Sequence, residues 1–133
     1  MRFPASIRKR YEHLDRFPEG YLAFGDSICS FNSIYGQGMS SAALQALALG
    51  EALSSGQNNL TKRFFPEAAK VADIPWSIAV GNDFRMSETV GPRSAGVKLV
   101  NWHISKLHKA AHKYAELTVA FYKVANLLAP LPF

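Results

Sequence analysis

Cysteine is nearly absent from this chain of 133 residues, which contains only Cys29. A single cysteine cannot form an internal disulfide, and it cannot supply the paired thiols of a CxxC redox motif or a structural zinc site. We therefore expect neither a disulfide-stapled fold nor a zinc fold. Cys29 itself is predicted to be a small buried side chain rather than a nucleophile.

Long apolar runs are missing as well. The stretch 27–50 contains no charged residue, but its serine, asparagine and glutamine side chains are too polar for the roughly 20 apolar residues that a membrane-spanning helix needs. No apolar run follows the basic amino-terminal residues, so no signal peptide is predicted. The sequence therefore predicts no membrane span, and we expect a cytoplasmic protein.

Acidic residues are fewer than basic ones. The chain has 10 Asp and Glu against 15 Lys and Arg, which gives a formal net charge of +5. These basic residues lie on both sides of the uncharged stretch instead of forming one stripe, so we expect no nucleic-acid partner. The apolar content of 48% is enough for a packed core and excludes a disordered or collagen-like chain.

The pattern of apolar residues predicts a mostly α fold with a short β element at the amino terminus. Residues 7–14 are ambiguous and fit an edge strand, whereas 21–24 is a compact apolar run that predicts a buried strand. A loop is predicted over 27–37. After it, a helix of about 15 residues is expected to begin near Gly38 and to end at 54–56.

The second half of the chain is predicted to be helical throughout. An apolar stripe runs over 60–71, where Pro66 would kink a helix unless it lies in the first turn. A separate short segment is predicted over 74–83. Apolar residues keep a period of 3.6 over 96–128, and this pattern predicts two helices joined near 112–113.

A possible ligand site begins where the apolar run 21–24 ends. Asp26 would lie at the carboxyl end of a strand, where α/β proteins bind ligands. Gly36 and Gly38 would let the backbone approach a ligand closely, and the helix that follows would present free N–H groups and the positive end of its dipole. A strand, an acid, a glycine loop and a helix in this order predict half of a cofactor pocket.

This ordered set resembles the carboxyl-terminal half of flavin-dependent monooxygenases of the aromatic-hydroxylase type, the relatives of para-hydroxybenzoate hydroxylase and the 2-polyprenyl-6-methoxyphenol hydroxylases. The resemblance rests on Pro18 and Gly20 before the apolar run, on Gly25 and Asp26 after it, and on the glycine loop and Ala/Leu-rich helix. It implies that Gly25 and Asp26 bind the ribityl chain of FAD. The backbone expected beside the pyrimidine edge of the flavin belongs to Gly36, Gln37, Gly38 and Met39.

The resemblance implies a carboxyl-terminal fragment of an α/β or α+β FAD-binding oxidoreductase fold. Residues 1–56 would form the flavin-contacting segment and 57–133 a helical segment of the same structural unit. The whole enzyme would use NAD(P)H and O₂ to oxygenate a small organic substrate, and the sequence identifies no catalytic residue. Ser33 replaces the proline that the family usually has in the loop.

No Gly-x-Gly-x-x-Gly unit, which in this family holds the adenine and pyrophosphate, occurs in the chain. We therefore expect weak or absent FAD binding by this chain alone, and either an amino-terminal half or self-association as its completion. The alternative is a degenerate, non-catalytic helical module that acts by packing against a protein partner.

Two further motifs have less support. Gly25, Asp26 and Ser27 match the Gly-Asp-Ser element of one class of serine hydrolases, but the chain lacks the Asp-x-x-His element of that class. The spacing of His108, His112 and Glu116 would align them as metal ligands on one continuous helix. The joint predicted near 112–113 interrupts that line, so no metal site is expected.

Overall fold

Four α-helices dominate the chain in a computed structural model, which describes residues 5–91 and 95–129. A short antiparallel sheet lies near the amino terminus. This architecture confirms the predicted mostly α fold with a short amino-terminal β element. The helices are α1 (Gly38–Ser54), α2 (Leu60–Asp83), α3 (Ala95–Ala111) and α4 (Ala115–Ala125).

The sheet has two strands of two residues each. β1 (Ile7–Arg8) pairs antiparallel with β2 (Cys29–Ser30), so that Arg8 lies opposite Cys29. A pair this short is marginal in water on its own. The nearly buried side chain of Arg8 forms an ion pair with Asp73 of α2, and this contact fastens the sheet to the helix.

The prediction of a buried strand over 21–24 is wrong. This segment belongs to no strand, and although Ala23 is 2% exposed, Tyr21 is 64% and Phe24 36% exposed. A strand needs a neighbour to complete its hydrogen bonds, and no described residue supplies one here. The second strand lies instead at 29–30, inside the predicted loop.

Helix α1 begins and ends where the periodicity predicts. Gln37 precedes its first residue, and the Gln37 carbonyl accepts the N–H of Ser41 at 2.9 Å. At the other end, Gly56 has a φ of +88°, a left-handed conformation that suits glycine. The chain can therefore turn sharply from α1 toward α2.

Helix α2 is continuous over Leu60–Asp83, so the prediction of a separate segment over 74–83 is wrong. Both Pro66 and Pro75 lie inside it. Each proline removes one N–H donor from the helix, which ordinarily destabilises it. Burial of an apolar stripe offsets that cost, because helices in proteins are stabilised mainly by packing. The stripe includes Phe64, Ala68 and Ala72, all 0% exposed.

Helices α3 and α4 pack against each other and are joined at 112–114, which confirms the predicted joint. The Thr118 hydroxyl donates a hydrogen bond to the Ala111 carbonyl at 3.1 Å across this joint. The His108 ring meets the Phe121 ring edge to face, with 4.8 Å between centroids. These contacts define the short α-hairpin.

The chain divides into two compact units, one ending at Trp76 and the other beginning at Ser77. This boundary lies inside α2, later in the chain than the predicted division between 56 and 57. Most of α2 thus belongs with the amino-terminal segment that it packs against. Among the described residues, no helix is both long enough and apolar enough to cross a bilayer.

Candidate cofactor site

Gly25 starts a 3-10 turn, Gly25–Ser27, that positions Asp26. Its φ of +59° is a left-handed conformation that favours glycine. The Gly25 N–H donates a hydrogen bond to Oε1 of Gln45 on α1 at 2.9 Å. A Cβ on Gly25 would lie 3.9 Å from the Cβ of Ala42. The turn is therefore fixed against the first half of α1.

The face of α1 beneath this turn is polar. Gln37, Ser41 and Gln45 follow one another at intervals of four and are 2%, 3% and 0% exposed. Gln45 Nε2 donates to Ser41 Oγ at 3.3 Å. The apolar periodicity did not predict this face, since Met39 and Leu47 are 86% and 67% exposed. The polar residues spaced by four are the signal that could have identified Ser41 and Gln45.

The Asp26 carboxylate lies at the amino terminus of α1. Its Oδ1 is 3.9 Å from the position that a Cβ on Gly38 would occupy. Asp26 is exposed, and no described residue donates a hydrogen bond to it or forms an ion pair with it. A negative charge is favourable at a helix amino terminus. The carboxylate is thus an accessible acceptor beside backbone N–H donors.

The glycine loop completes this region. A 3-10 turn over Ser33–Tyr35 is capped by Asn32, whose Oδ1 accepts the Ile34 N–H at 3.1 Å. Gly36 ends the turn with a φ of +68°, and nothing lies within 4 Å of the position where its Cβ would be. The first N–H groups of α1, which follow directly, have no partner within the helix.

The structure brings the six predicted site residues into one region at the start of α1. Asp26 approaches Gly38, and Met39 extends its side chain into solvent. Gln37 differs from the others because its side chain is buried, so that its backbone is the part placed at the loop. A carboxylate acceptor, an uncovered glycine loop and helix N–H donors can together bind a ligand that carries both hydroxyl and carbonyl groups.

A large groove lies elsewhere in the unit that ends at Trp76. It has a volume of about 1140 Å³, and its lining comes from 11–22 and 53–66 without any of the six predicted residues. Phe17 packs in its wall against Tyr11 and Phe65, with ring centroids 5.5 and 4.8 Å away. The six predicted cofactor residues therefore do not line this groove.

Ser27 is bound into the turn and does not have the contacts of a hydrolase nucleophile. Its Oγ accepts the Phe24 N–H at 2.7 Å and donates to the Phe24 carbonyl at 2.7 Å. A nucleophilic serine must instead donate its proton to a base such as histidine. The hydroxyl therefore caps the turn, and its geometry disfavours the serine-hydrolase interpretation.

Residues suited to metal binding do not cluster in the part of the chain that the structure describes. The line formed by His108, His112 and Glu116 is interrupted because α3 ends at Ala111 and α4 begins at Ala115. The His108 ring packs on Phe121. The three side chains therefore do not lie along one continuous helix.

Cys29 is 3% exposed and carries a free thiol on β2. Burial raises the pKa of this thiol, and the positive charge of nearby Arg8 only partly opposes that effect. A raised pKa disfavours the thiolate, which is the reactive form. The thiol is thus a buried packing group, as the sequence predicts.

No model of a known protein family matches this chain. A segment of 53 residues, 40% of the chain, is 51% identical to Protein Rv3254 of Mycobacterium tuberculosis (strain ATCC 25618 / H37Rv). That segment covers 11% of the mycobacterial protein. The chain is therefore similar to one short part of a much longer protein.

Proposed function

We propose that this chain is the carboxyl-terminal FAD-binding portion of a flavin-dependent oxidoreductase of the monooxygenase type. The observation that carries the proposal is the exposed Asp26 carboxylate, which has no partner among the described residues and lies beside Gly38 at the start of α1. The same residues carry the sequence resemblance to aromatic hydroxylases.

The donors and acceptors of this region fit a flavin. The Asp26 carboxylate would accept hydrogen bonds from ribityl hydroxyl groups, which are stronger than neutral pairs because the acceptor is charged. The backbone at Gly38 and Met39 would donate to a carbonyl oxygen at the pyrimidine edge of the ring. Gly36 leaves open space where a side chain would block the approach. FAD would supply the redox chemistry, with NAD(P)H as reductant, O₂ as oxidant and a small organic molecule as substrate.

We further propose that the chain acts as part of a larger protein or assembly, either with an amino-terminal nucleotide-binding half or through self-association. It contains no Gly-x-Gly-x-x-Gly unit to bind pyrophosphate and adenine. Its resemblance to Protein Rv3254 likewise spans 11% of that protein. The uncharged stretch 27–50 offers no cation for the phosphates. A cytoplasmic location, where NAD(P)H is supplied, is part of this proposal.

A titration of the isolated chain with FMN and with FAD tests the proposal. Backbone amide shifts would be followed by two-dimensional NMR. We expect weak binding, with the largest shifts at Gly25, Asp26, Gly38 and Met39. FAD should bind no more tightly than FMN, because the chain has no Gly-x-Gly-x-x-Gly unit for the adenine and pyrophosphate. Shifts confined to residues outside this region would contradict the proposed flavin contacts and favour the non-catalytic helical module.

A matched pair of variants separates the role of the carboxylate from a general charge effect. Asp26→Asn removes the proposed acceptor, whereas Asp15→Asn makes the same change of charge at another exposed position. The first should weaken flavin binding and the second should leave it unchanged. Equal effects of both variants would contradict the proposed contact.

A further inference from the structure

One side of α3 carries lysines around two exposed apolar side chains. Lys98, Trp102, Lys106 and Lys109 follow at helical spacings of four, four and three, and Leu99 lies on the same side. All are exposed, with 59% exposure for Trp102 and 65% for Leu99. We call these five residues the α3 basic face.

The basic face has no acidic residue near it in sequence. Neither Asp nor Glu occurs between Glu88 and Glu116, an interval that contains five Lys and Arg and three His. The Lys106 Nζ lies 5.8 Å from the centroid of the Trp102 ring, within the range of a cation–π contact. The lysine charge thus stays beside the aromatic ring without neutralisation by a carboxylate of the same helix.

The opposite side of α3 faces α4. Ile104 and Leu107 are less exposed than the basic face, and the His108 ring packs on Phe121. That side therefore supplies the packing between α3 and α4. Packing within the hairpin does not explain why Trp102 and Leu99 are exposed. Large exposed apolar groups of this kind commonly mark an interaction surface.

We propose that the α3 basic face binds the surface of an anionic lipid bilayer, with the helix lying on the membrane and not crossing it. Lysines complement the negative headgroups, and each contributes about 1 kcal/mol near such a surface. Trp102 and Leu99 enter the boundary between headgroups and acyl chains, where tryptophan is favoured. This proposal is independent of the proposed flavin function.

Charge alone would also suit a nucleic acid. The two apolar side chains favour lipid, because they gain free energy when they enter the acyl boundary and gain little against phosphates. The face also has only three lysines on one helix. Contacts with a nucleic-acid backbone would need a wider basic surface than this.

Binding of the full chain to vesicles tests the proposal. One set of vesicles consists of phosphatidylcholine, and the other contains phosphatidylcholine with phosphatidylglycerol. In a Trp76→Phe background, Trp102 is the only tryptophan. We expect co-sedimentation and a blue shift of its fluorescence with the phosphatidylglycerol vesicles alone, both lost at high salt. No blue shift with these vesicles would overturn the proposal.

Matched triple variants test whether the lysines of this face matter specifically. Replacing Lys98, Lys106 and Lys109 by glutamine should lower vesicle affinity on the order of 100-fold, from about fivefold for each lysine. The control replaces by glutamine three exposed lysines of the other unit, namely Lys9, Lys62 and Lys70. The vesicle affinity of the control should stay within a few fold of that of the parent. Equal losses in both triples would overturn the proposal in favour of general charge attraction.

The apolar part has its own test. Trp102→Ala should weaken binding to phosphatidylglycerol vesicles at least tenfold, while circular dichroism shows that the helices are retained. A Trp102→Ala chain that binds as the parent does would contradict insertion. Tighter binding to duplex DNA than to the vesicles, with loss in the same lysine triple, would overturn the lipid assignment and identify a nucleic-acid surface.

Discussion

Gln45 of α1 accepts a hydrogen bond from the backbone N–H of Gly25 at 2.9 Å. The Gln45 side chain that accepts this bond is 0% exposed, whereas Gly25 is partly exposed. The Asp26 carboxylate follows Gly25 directly, and its position beside the start of α1 depends on the same turn. A buried helix side chain therefore sets where the candidate ligand acceptor lies.

Replacement of Gln45 by alanine should destabilise the chain. The Gly25 N–H would lose its partner, and Ser41 Oγ would lose a donor. The expected cost is about 1–3 kcal/mol in the free energy of unfolding, the range for a buried polar group left unsatisfied. Urea unfolding measures it, with Gln57→Ala as the control at an exposed position. Equal midpoints for the two variants would show that the bond does not stabilise the turn.

The two loop glycines should respond differently to alanine. Gly36 has a φ of +68°, so Gly36→Ala should lower the free energy of unfolding by about 1 kcal/mol. Gly38 is helical, and a Cβ there would meet Asp26 Oδ1 at an ordinary contact distance of 3.9 Å. Gly38→Ala should therefore retain stability, while weakening flavin binding by partly covering the carboxylate. Thermal unfolding and flavin titration of both variants check this order, and a reversed order of stabilities would refute it.

The helices could be predicted because their signals are local. The period of apolar residues gives the ends of α1 and the joint between α3 and α4 without any knowledge of packing. The continuity of α2 through Pro66 and Pro75 could not be predicted, since it depends on the burial of Phe64 and its neighbours against other segments. Tertiary packing overrides a local helix breaker there.

The residues of the candidate site were chosen from motifs along the chain, whereas the contacts that hold them in place follow only from the fold. Asp26 and the loop glycines follow one another along the sequence, and the fold brings Asp26 close to Gly38. The buried positions of Ser41 and Gln45 were missed, because an apolar pattern implies that the Met39 side of α1 faces inward. A hydrogen bond between residues twenty positions apart, as for Gly25 and Gln45, has no local sequence signal.

Cys29 should react slowly with thiol reagents in the folded chain. Burial raises the pKa of its thiol, so little thiolate forms near neutral pH. Reaction with a disulfide reagent should speed up in urea until it matches that of a free thiol. Fast labelling without denaturant would show that the site opens readily or that the pKa is not raised.

The same shift predicts how stability changes with pH. The folded state keeps the Cys29 proton to higher pH than the unfolded state does, because the folded pKa is the higher of the two. This contribution to stability is complete below the unfolded pKa of about 8.5 and declines as pH rises above it. Urea unfolding at a series of pH values should show that decline in the parent and a weaker one in Cys29→Ala. If the free energy of unfolding changed with pH in the same way in the parent and in Cys29→Ala, this prediction would be refuted.

Asp26 and Ser27 are neighbours in one turn, yet their replacements should separate ligand binding from stability. Asp26→Ala should lower flavin affinity by about 1.5–3 kcal/mol, the range for hydrogen bonds to a charged group, with little loss of stability. Ser27→Ala removes the Oγ that bonds to the Phe24 backbone. It should cost about 0.5–2 kcal/mol in the free energy of unfolding, as for a lost helix cap.

Neither the parent chain nor either variant should be labelled by a serine-reactive fluorophosphonate, because Ser27 donates its proton to a carbonyl and not to a base. Labelling of the parent that disappears in Ser27→Ala, with flavin affinity unchanged in Asp26→Ala, would refute the flavin assignment and support a hydrolase.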